Sequence, residues 1–267
     1  MLVIKIGGTE GINFFPICSD IADLIHKGTK VIVVHGGSSE TNDLGIQLGC
    51  PPRFITSPSG FTSRYTDQTT LKIFMMAVNG KINSLLVEQL HKLKVNAFGF
   101  SGLDGKTILA SRKATIQSVE SGKKKIIRDD YTGKIESVNS SFLTLLLESG
   151  LTPVIAPLAI SREGEAVNID ADRAAANIAG AMKAESLILL TGAPGLLKNF
   201  PDPSSLINNL PSQKLNEALG YAEGRMKKKI LASGEALAAG VEKVFIADGR
   251  INNPVFNALS GNCTLIT

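Results

Sequence analysis

Six short apolar runs alternate with stretches of helical periodicity along the chain. They lie at residues 2–6, 30–34, 95–100, 152–157, 187–190 and 244–247. Runs this apolar are typical of strands buried on both faces, and the helical stretches between them favour crossovers that join parallel strands. The pattern therefore predicts an α/β fold with a mainly parallel central sheet.

The first run contains a lysine and ends in two glycines. Lys5 lies in the middle of the run, and an ammonium in a buried strand is unfavourable unless it reaches a partner. Gly7 and Gly8 follow, and glycines that adopt positive φ let backbone N–H groups converge on an anion. We therefore expect this strand to bring Lys5 to a bound phosphate. The alternative is a lysine that reaches solvent from an edge strand.

The second run ends in a comparable turn, in which Gly36 and Gly37 follow His35. A helical stretch at residues 17–27 separates the two runs, so the strands should be parallel and joined by a crossover. Two glycine turns at the carboxyl edge of a parallel sheet are typical of a small-ligand crevice. Each turn alone is unspecific, but together with Lys5 they indicate phosphoryl transfer.

A polar loop and the long helix after it are both candidates for binding surfaces. Arg64 is the single arginine of a hydroxyl-rich loop at residues 56–67, where it is either solvated or a clamp for a carboxylate. Residues 68–93 form one long predicted helix, which Thr66 or Asp67 caps. Its apolar surface is wide enough for a dimer interface, although core packing explains the same pattern.

Two helix starts in the second half of the chain carry charged residues. Asn168 precedes an alanine-rich helix at residues 173–182, and Asp172 is expected in its first turn. The helix dipole stabilises a carboxylate at this position, so Asp172 either has that structural role or orients a catalytic lysine. A later helix, opened by Gly224, places Lys229 beside its buried stripe and near a helix start, where phosphates bind well.

Short β-like segments between residues 107 and 138 predict a hairpin excursion that forms a lid or wall of the substrate cleft. Its tip is basic because it contains Lys123, Lys124 and Lys125, and Arg128 follows. A charged tip is usually a solvated turn, but this one also suits an acidic partner.

The turn after the run at residues 187–190 is a candidate for nucleotide binding. It contains Thr191, Gly192 and Gly195. Glycines in such a turn let the backbone approach a ligand closely. We therefore expect this turn to cradle an adenine nucleotide.

Composition and charge narrow the class of function. The 267 residues are 43% hydrophobic, ample for a large core, and the net charge of +4 is far below that of a nucleic-acid-binding arm. The three cysteines form no CxxC pair, the three histidines lack metal-ligand spacing, and no apolar run reaches membrane-spanning length. We expect a cytoplasmic chain without a signal peptide, a resident metal, a nucleic-acid partner or a membrane contact.

Taken in order, these motifs resemble those of the amino acid kinase superfamily, whose prototype is N-acetylglutamate kinase. The motifs are Lys-x-Gly-Gly at residues 5–8, His-Gly-Gly at residues 35–37, Arg64, Asn-x-x-x-Asp at residues 168–172 and Gly-x-Met-x-x-Lys at residues 224–229. The likeness covers essentially the whole chain. It is sharper to one branch, the kinases that phosphorylate 2-aminoadipate or glutamate attached to the LysW amino-group carrier protein. The longer strings that resemble this branch are residues 57–60, 131–134 and 224–229.

The resemblance implies an open αβα sandwich with two lobes. Residues 1–167 would bind the acyl substrate and form a homodimer, and residues 168–267 would bind ATP with its Mg²⁺. Lys5 and Lys229 would stabilise the transferring phosphoryl group, and Asp172 would hold both lysines in place. The implied substrate-binding residues are Gly36, Gly37, Ser38, Arg64 and Asn168. The implied phosphate and nucleotide contacts are Gly7, Gly8, Thr191, Gly192, Gly195 and Met226, and Gly8, Gly36, Gly37 and Ser38 would contribute backbone donors.

Three functional hypotheses remain open. The first is a kinase that makes an acyl phosphate on LysW-bound 2-aminoadipate for lysine biosynthesis. LysW-bound glutamate, for arginine biosynthesis, is nearly as good, because one methylene changes binding by only ~1–3 kcal/mol. The second is a kinase of free N-acetylglutamate. The third is a non-catalytic amino-acid or nucleotide sensor, against which the presence of Lys5, Asp172 and Lys229 argues.

Two departures from the prototype affect particular contacts. Ser38 stands where the prototype has a third glycine after the histidine, so the resemblance does not establish how closely the backbone approaches the substrate there. Gly192 stands where an aspartate is often found after the fourth strand, so the nucleotide contacts of that turn are expected to differ.

Overall fold

The computed structural model describes residues 1–58, 60–113, 115–120 and 123–267, without the side chains of Glu120 and Lys123. Its strands are β1 (Leu2–Ile6), β2 (Val31–His35), β3 (Phe54–Thr56), β4 (Thr62–Arg64), β5 (Ala97–Gly102), β6 (Ile108–Arg112), β7 (Ile116–Glu120), β8 (Lys123–Ile127), β9 (Gly133–Val138), β10 (Thr152–Ile160), β11 (Ala166–Asn168), β12 (Ser186–Thr191), β13 (Asn209–Leu210), β14 (Lys243–Asp248) and β15 (Thr264–Ile266). Its α-helices are α1 (Phe14–His26), α2 (Ser38–Gln47), α3 (Gln68–Met75), α4 (Ser84–Lys92), α5 (Ser140–Glu148), α6 (Ala171–Ala181), α7 (Leu215–Tyr221), α8 (Arg225–Ala238) and α9 (Pro254–Leu259).

A mainly parallel sheet forms the centre of the molecule. Within the described residues it has eleven strands, and its main path runs β13-β15-β14-β12-β1-β2-β10-β6-β9, with β5 and β11 paired to β10. β1 lies in the middle, parallel to β12 on one side and to β2 on the other. The predicted α/β class is confirmed, and each of the six apolar runs overlaps a strand of this sheet.

Alternation along β1 sends its side chains to two separate cores, one on each face of the sheet. Val3 belongs to the core that includes residues of α5, α6 and α8, whereas Ile4 belongs to the core that includes residues of α1, α4 and α9. Helices therefore cover both faces, as an αβα sandwich requires. Because Lys5 follows Ile4, its side chain points to the face that carries α6 and α8.

Small residues let α6 and α8 pack closely together. The buried face of α6 is built largely from alanines, which are Ala174, Ala175, Ala176 and Ala179. A Cβ atom at Gly180 would lie only 2.5 Å from the Cβ of Ala239, which follows α8. The distance between packed helices depends on the size of the side chains at their contact. This contact therefore brings the charged residues of both helices within reach of β1.

The long helix predicted at residues 68–93 is continuous but not uniform. A π-helical segment, Met76–Asn83, joins α3 to α4, and Asp67 caps α3 by accepting a hydrogen bond from the N–H of Thr70 at 2.7 Å. Most large apolar residues of this helix are buried, while Met76 and Leu85 are 49% and 43% exposed.

Among the described residues, no helix combines the length and apolar character that a bilayer crossing requires.

Two predicted loop segments need correction or restriction. The segment predicted as a polar loop at residues 56–67 includes the last residue of β3 and all of β4, which pair as an antiparallel hairpin. The sequence did not indicate these strands, because three residues are too few for alternation to be recognised. β7 and β8 form the predicted hairpin excursion, but residues 121 and 122 and the side chain of Lys123 lie outside the described part. Ser59, in one of the longer strings, also lies outside it. The division into lobes at residues 167 and 168 stays a prediction.

Candidate active site

Three charged side chains form a buried cluster beside the end of β1. The carboxylate of Asp172 accepts from both predicted lysines, with Lys5 Nζ 2.8 Å from its Oδ1 and Lys229 Nζ 2.8 Å from its Oδ2. None of the three residues is more than 6% exposed. Charged side chains are almost never buried unless they are paired. The structure therefore brings together β1, α6 and α8 through the three residues that the sequence predicts to be catalytic.

The cluster has one more positive than negative charge. Burial alone would raise the pKa of Asp172, but the charges of Lys229 and Lys5 outweigh it and hold that pKa well below its usual range. Burial lowers the pKa of Lys229 to about 8, against the charge of Asp172 and with the help of Lys5. Two ammonium groups thus share one carboxylate in surroundings of low dielectric. A bound anion would complete the charge balance.

The two glycine turns meet each other next to Lys5. A Cβ atom on Gly8 would lie 2.1 Å from the backbone nitrogen of Gly37, so only glycine fits at Gly8. The carbonyl of Gly8 accepts from Ser38 Oγ at 3.2 Å and from the N–H of Ser39 at 2.8 Å. Within the described chain, the N–H groups of Gly8, Gly37 and Ser38 donate to no protein group. Backbone donors at the start of α2 are therefore available to an anion.

Gly36 does not fit the predicted role of a backbone donor. Its N–H donates to the carbonyl of Ile6 at 2.9 Å, which extends the pairing of β1 with β2. Its carbonyl accepts from Nδ1 of His35 at 2.9 Å, and Nε2 of that ring lies 3.1 Å from the amide of Asn83. Burial lowers the pKa of His35 to about 4, so the ring is neutral, with its proton on Nδ1. Gly36 supports the turn, and its amide is not available to a ligand.

A cavity of about 740 Å³ opens above the charged cluster. The predicted residues that line it are Lys5, Gly7, Gly8, Gly36, Gly37, Ser38, Arg64, Asn168, Asp172, Thr191 and Lys229. Arg64 donates from Nη2 to the carbonyl of Ser38 at 3.1 Å, and its Cζ lies 5.2 Å from the ring centre of Phe54. Burial, together with the charge of Arg225, lowers the pKa of Arg64 to about 10. A buried guanidinium in these surroundings is suited to a carboxylate ligand.

Asn168 faces the same cavity from the end of β11. Its Nδ2 donates to Oγ1 of Thr66 at 3.1 Å. Two residues further along, Asp170 caps α6 by accepting from the N–H groups of Asp172 and Arg173, at 3.0 and 3.2 Å. The two neighbouring aspartates therefore have separate tasks. Asp170 is the N-cap of α6, and Asp172 forms the ion pairs with both lysines.

A second cavity, of about 510 Å³, adjoins the first. The predicted residues that line it are Thr191, Gly192, Gly195 and Met226. Four residues line both cavities, and they are Thr9, Thr191, Gly224 and Arg225. Gly195 is also required by packing, because a Cβ atom there would lie 2.5 Å from Oγ1 of Thr264. A ligand in one cavity would therefore lie next to a ligand in the other.

Several residues of the two cavities were not predicted from the sequence. Arg225, Lys228 and Lys113 add positive charge to the larger cavity, where Nζ of Lys228 lies 3.5 Å from Oδ2 of Asp170. The signal for Arg225 and Lys228 was the basic run that follows Gly224, in which only the last lysine was selected. Oγ1 of Thr9 is buried without a hydrogen-bond partner, and no pattern in the sequence indicates this.

The β7–β8 hairpin lies to the side of the larger cavity. Described residues of these two strands do not line it, and β7 contacts β3, whose hairpin does. The prediction that this hairpin excursion forms a lid or wall of the substrate cleft therefore needs correction for the described residues of β7 and β8. In the described ranges, no group of three or more His, Cys, Asp or Glu side chains is arranged to hold a metal ion.

Comparisons with known proteins agree on one family. Residues 1–248 match the model of the amino acid kinase family. The [LysW]-aminoadipate kinase of Deinococcus radiodurans is 48% identical over 267 residues, covering all of this chain and 91% of that protein. The protein of the same name from Thermus thermophilus is 47% identical over 268 residues, with full coverage of both. N-acetylglutamate synthase from Neisseria gonorrhoeae, solved with coenzyme A and N-acetyl-glutamate, superimposes with a TM-score of 0.80 at 25% identity, and this chain spans 59% of it.

We expect anion binding in the larger cavity to weaken as the pH rises through about 8, where Lys229 loses its proton. Sulfate is a suitable probe because its own charge is constant there, and calorimetric titration from about pH 7 to pH 9 measures its Kd. Lys229→Arg should give a flat curve because arginine stays protonated. Lys227→Arg, outside both cavities, should follow the wild type. A wild-type Kd that does not change with pH would contradict the assignment.

The lowered pKa of Lys229 also affects the free energy of unfolding, which is measured separately. Between about pH 8 and 10.5, the folded protein binds fewer protons than the unfolded chain, so the free energy of unfolding should rise with pH in that window. Denaturant unfolding of the wild type and of Lys229→Arg, compared at each pH, measures this contribution. Identical slopes for the two proteins would assign the change to other groups.

Proposed function

The chain belongs to the amino acid kinase family, and we propose that it transfers the γ-phosphoryl group of ATP to the side-chain carboxylate of 2-aminoadipate attached to a LysW carrier protein. The product would be an acyl phosphate in lysine biosynthesis. The single observation that carries the proposal is the buried cluster of Lys5, Asp172 and Lys229 beside two adjoining cavities. The two relatives named for this activity support the choice of acceptor.

The chemistry needs little from the protein beyond charge and position. A carboxylate acceptor is already ionised at neutral pH, so no general base is required. The protein has to bring two anions together and to neutralise charge on the equatorial oxygens of the transferring group. Lys5 and Lys229 would supply that charge from fixed positions, which avoids reorganisation during the reaction. Asp172 would position both lysines and take no proton, which its lowered pKa supports.

We propose that the smaller cavity binds the nucleotide, with the lobe formed by residues 168–267 supplying most of its lining and Thr9 and Glu10 the rest. The phosphates would extend toward the unbonded N–H groups of Gly8, Gly37 and Ser38, a cradle that a Cβ atom at Gly8 would fill. Gly192 stands in place of the usual aspartate and has no side chain; a Cβ atom there would lie 3.5 Å from Oγ1 of Thr9. Mg²⁺ carried on the nucleotide phosphates would supply further charge neutralisation.

The acceptor would bind in the larger cavity. Arg64 would pair with the α-carboxylate, with Asn168 beside it, because Arg64 is 9% exposed and has no carboxylate partner among the described residues. Three phenylalanines line the same cavity and suit the methylene chain, and they are Phe54, Phe61 and Phe74. One methylene is worth only ~1–3 kcal/mol in such surroundings. We therefore also propose LysW-bound glutamate as an acceptor, which would connect the protein to arginine biosynthesis.

An assay with three acceptors in parallel tests the proposed function. We expect ATP-dependent phosphorylation of LysW-aminoadipate, weaker phosphorylation of LysW-glutamate, and little of free N-acetylglutamate. Lys5→Ala is the matched control, because loss of one transition-state contact typically costs about 3–4 kcal/mol, roughly 100- to 1,000-fold in turnover. Faster turnover of free N-acetylglutamate would replace the proposed acceptor. Turnover of no acceptor by the wild type would favour a sensor.

We propose that the carrier is recognised partly by charge. Lys124, Lys125 and Arg128 are exposed in β8 and in the segment after it, and Lys113 is exposed where it lines the larger cavity. An acidic carrier would meet this surface while its substrate arm enters the cavity. Surface charges of this kind act mainly on the rate of association and are screened within about 8–10 Å at ordinary salt.

The basic surface therefore predicts a salt-dependent KM. Reversing Lys124, Lys125 and Arg128 to glutamate should raise KM for LysW-aminoadipate steeply at low salt and less at high salt. The kcat should barely change, because these charges do not contact the transferring phosphoryl group. The same assay with ATP as the varied substrate is the internal control. A KM for the carrier that is unchanged at every salt concentration would exclude this surface.

We also propose a homodimer built on the continuous helix of α3, the π-helical segment and α4. Its exposed apolar residues Met76 and Leu85 support this surface. Light scattering should give the mass of two chains, and replacing both residues by lysine should give one. A monomeric or hexameric wild type would contradict the proposal.

We further propose a cytoplasmic location. The family supports it, as do the three free cysteines, Cys18, Cys50 and Cys263.

A further inference from the structure

Asp130 is a buried carboxylate in the segment between β8 and β9, outside the lining of both cavities. It is 1% exposed. Its Oδ2 accepts from the N–H of Thr66 at 2.9 Å, and its Oδ1 accepts from the N–H of Thr132 at 2.8 Å and from the hydroxyl of Thr132. All three donors are uncharged. A buried carboxylate that accepts from two chain segments fixes their separation, because loss of either bond leaves a buried polar group unsatisfied.

Thr66 connects Asp130 to both side chains that would hold the acyl substrate. Its hydroxyl donates to the carbonyl of Arg64 at 3.2 Å and accepts from Nδ2 of Asn168 at 3.1 Å. Thr66 is fully buried, so water does not replace these bonds. The bond from its N–H to Asp130 therefore holds the residue on which both Arg64 and Asn168 depend.

Tyr131 makes a second connection between the same segments. Its N–H donates to the carbonyl of Thr66 at 2.7 Å, and its carbonyl accepts from the N–H of Asn168 at 2.8 Å. Arg112 stacks its guanidinium 3.6 Å from the ring centre of Tyr131 and donates from Nε to the carbonyl of Asp130 at 3.0 Å. Three segments that are far apart in the sequence thus form one hydrogen-bonded unit with Asp130 at its centre.

We propose that Asp130 is a positioning residue for the acyl substrate, which sets the placement of Arg64 relative to Asn168 without contacting the substrate itself. The inference rests on the proposed function, in which these two residues hold the head of the acceptor. A displacement of about 1 Å in a substrate-binding group can lower catalysis about 100-fold. Asparagine at this position would present an amide N–H₂ to at least one of the backbone donors, so one side of the unit would lose its bond.

Asp129 offers a matched control next to Asp130 in the chain. Its Oδ2 accepts from the hydroxyl of Tyr65 at 2.5 Å, and both residues lie toward solvent. This bond joins the same two segments from outside and does not involve Thr66. Exposed polar pairs contribute little to stability. Asp129→Asn therefore makes the same chemical change one residue away, while its amide oxygen can still accept from Tyr65 and the inner unit is undisturbed.

Asp130→Asn and Asp129→Asn are compared by steady-state kinetics in which acceptor and ATP are varied separately. We expect Asp130→Asn to raise KM for the acceptor about tenfold or more, while KM for ATP changes less than about twofold. Asp129→Asn should leave both values unchanged. Thr66→Val keeps the shape of the side chain but lacks the hydroxyl, and it should show the same selective rise. Thr66→Ser, which keeps the hydroxyl, should restore KM for the acceptor.

A purely structural role predicts a different result. It would lower the melting temperature and the active fraction, and KM for the acceptor would stay unchanged or rise together with KM for ATP. Either outcome would overturn the proposal. If Asp130→Asn does not fold, the pair Thr66→Val and Thr66→Ser decides. The acceptor in these assays is whichever one the wild type phosphorylates, so a wrong choice of acceptor in the proposed function is seen in the wild type alone.

Discussion

The structure depends on one costly interaction, the burial of an ammonium group in the central strand of its sheet. Lys5 is 5% exposed and has apolar neighbours along β1, so it requires a counter-charge that the sheet itself does not contain. Asp172 supplies this charge from α6. Asp172 also accepts from Lys229, so the requirement of one strand fixes the approach of two helices. Removal of the carboxylate would leave two like charges buried side by side.

The surrounding packing serves that arrangement. Alanines along α6, and Gly180 at its contact with Ala239, allow the helices to approach closely. On the other side of Lys5, the glycine turns meet without side chains, so backbone donors replace side-chain donors there. His35 takes part in this packing as a neutral ring that holds the carbonyl of Gly36. The site is thus assembled from backbone geometry and three charges, with no titrating group needed for proton transfer.

Much of the fold and the charged cluster could be predicted because both follow from local rules. Buried strands show as apolar runs, and a lysine inside one requires a partner in a predictable direction. The rest depends on contacts between distant positions. The pairing of Asp130 with Thr66 spans 64 residues in the sequence, and nothing near either residue indicates the other. The use of the Gly36 amide by the sheet depends on the register of two strands, which apolar runs do not specify.

The resemblance to a family added what local rules could not supply, namely the roles of residues whose types are common. Arg64 in a polar loop and Asn168 before a helix each have an ordinary structural explanation. Their convergence on one cavity is visible only in three dimensions. Arg225 and Thr9 show the converse case, since they line both cavities although neither was selected from the sequence. A motif marks positions along the sequence, whereas a cavity also includes residues that the fold brings beside them.

The contact between Gly8 and Gly37 restricts how such a protein can change over evolutionary time. A Cβ atom at Gly8 would lie 2.1 Å from the backbone nitrogen of Gly37, and one at Gly36 would lie 2.9 Å from that of Gly8, so neither glycine can gain a side chain unless the opposite turn is rebuilt. The two turns therefore behave as a single inherited unit, although about thirty residues separate them in the sequence. Changes in the shape of the cavity therefore have to come from other lining residues, such as those of the β3–β4 hairpin. Gly8 and Gly36 are thus closed to substitution by any larger residue, whereas the hairpin is not restricted in this way.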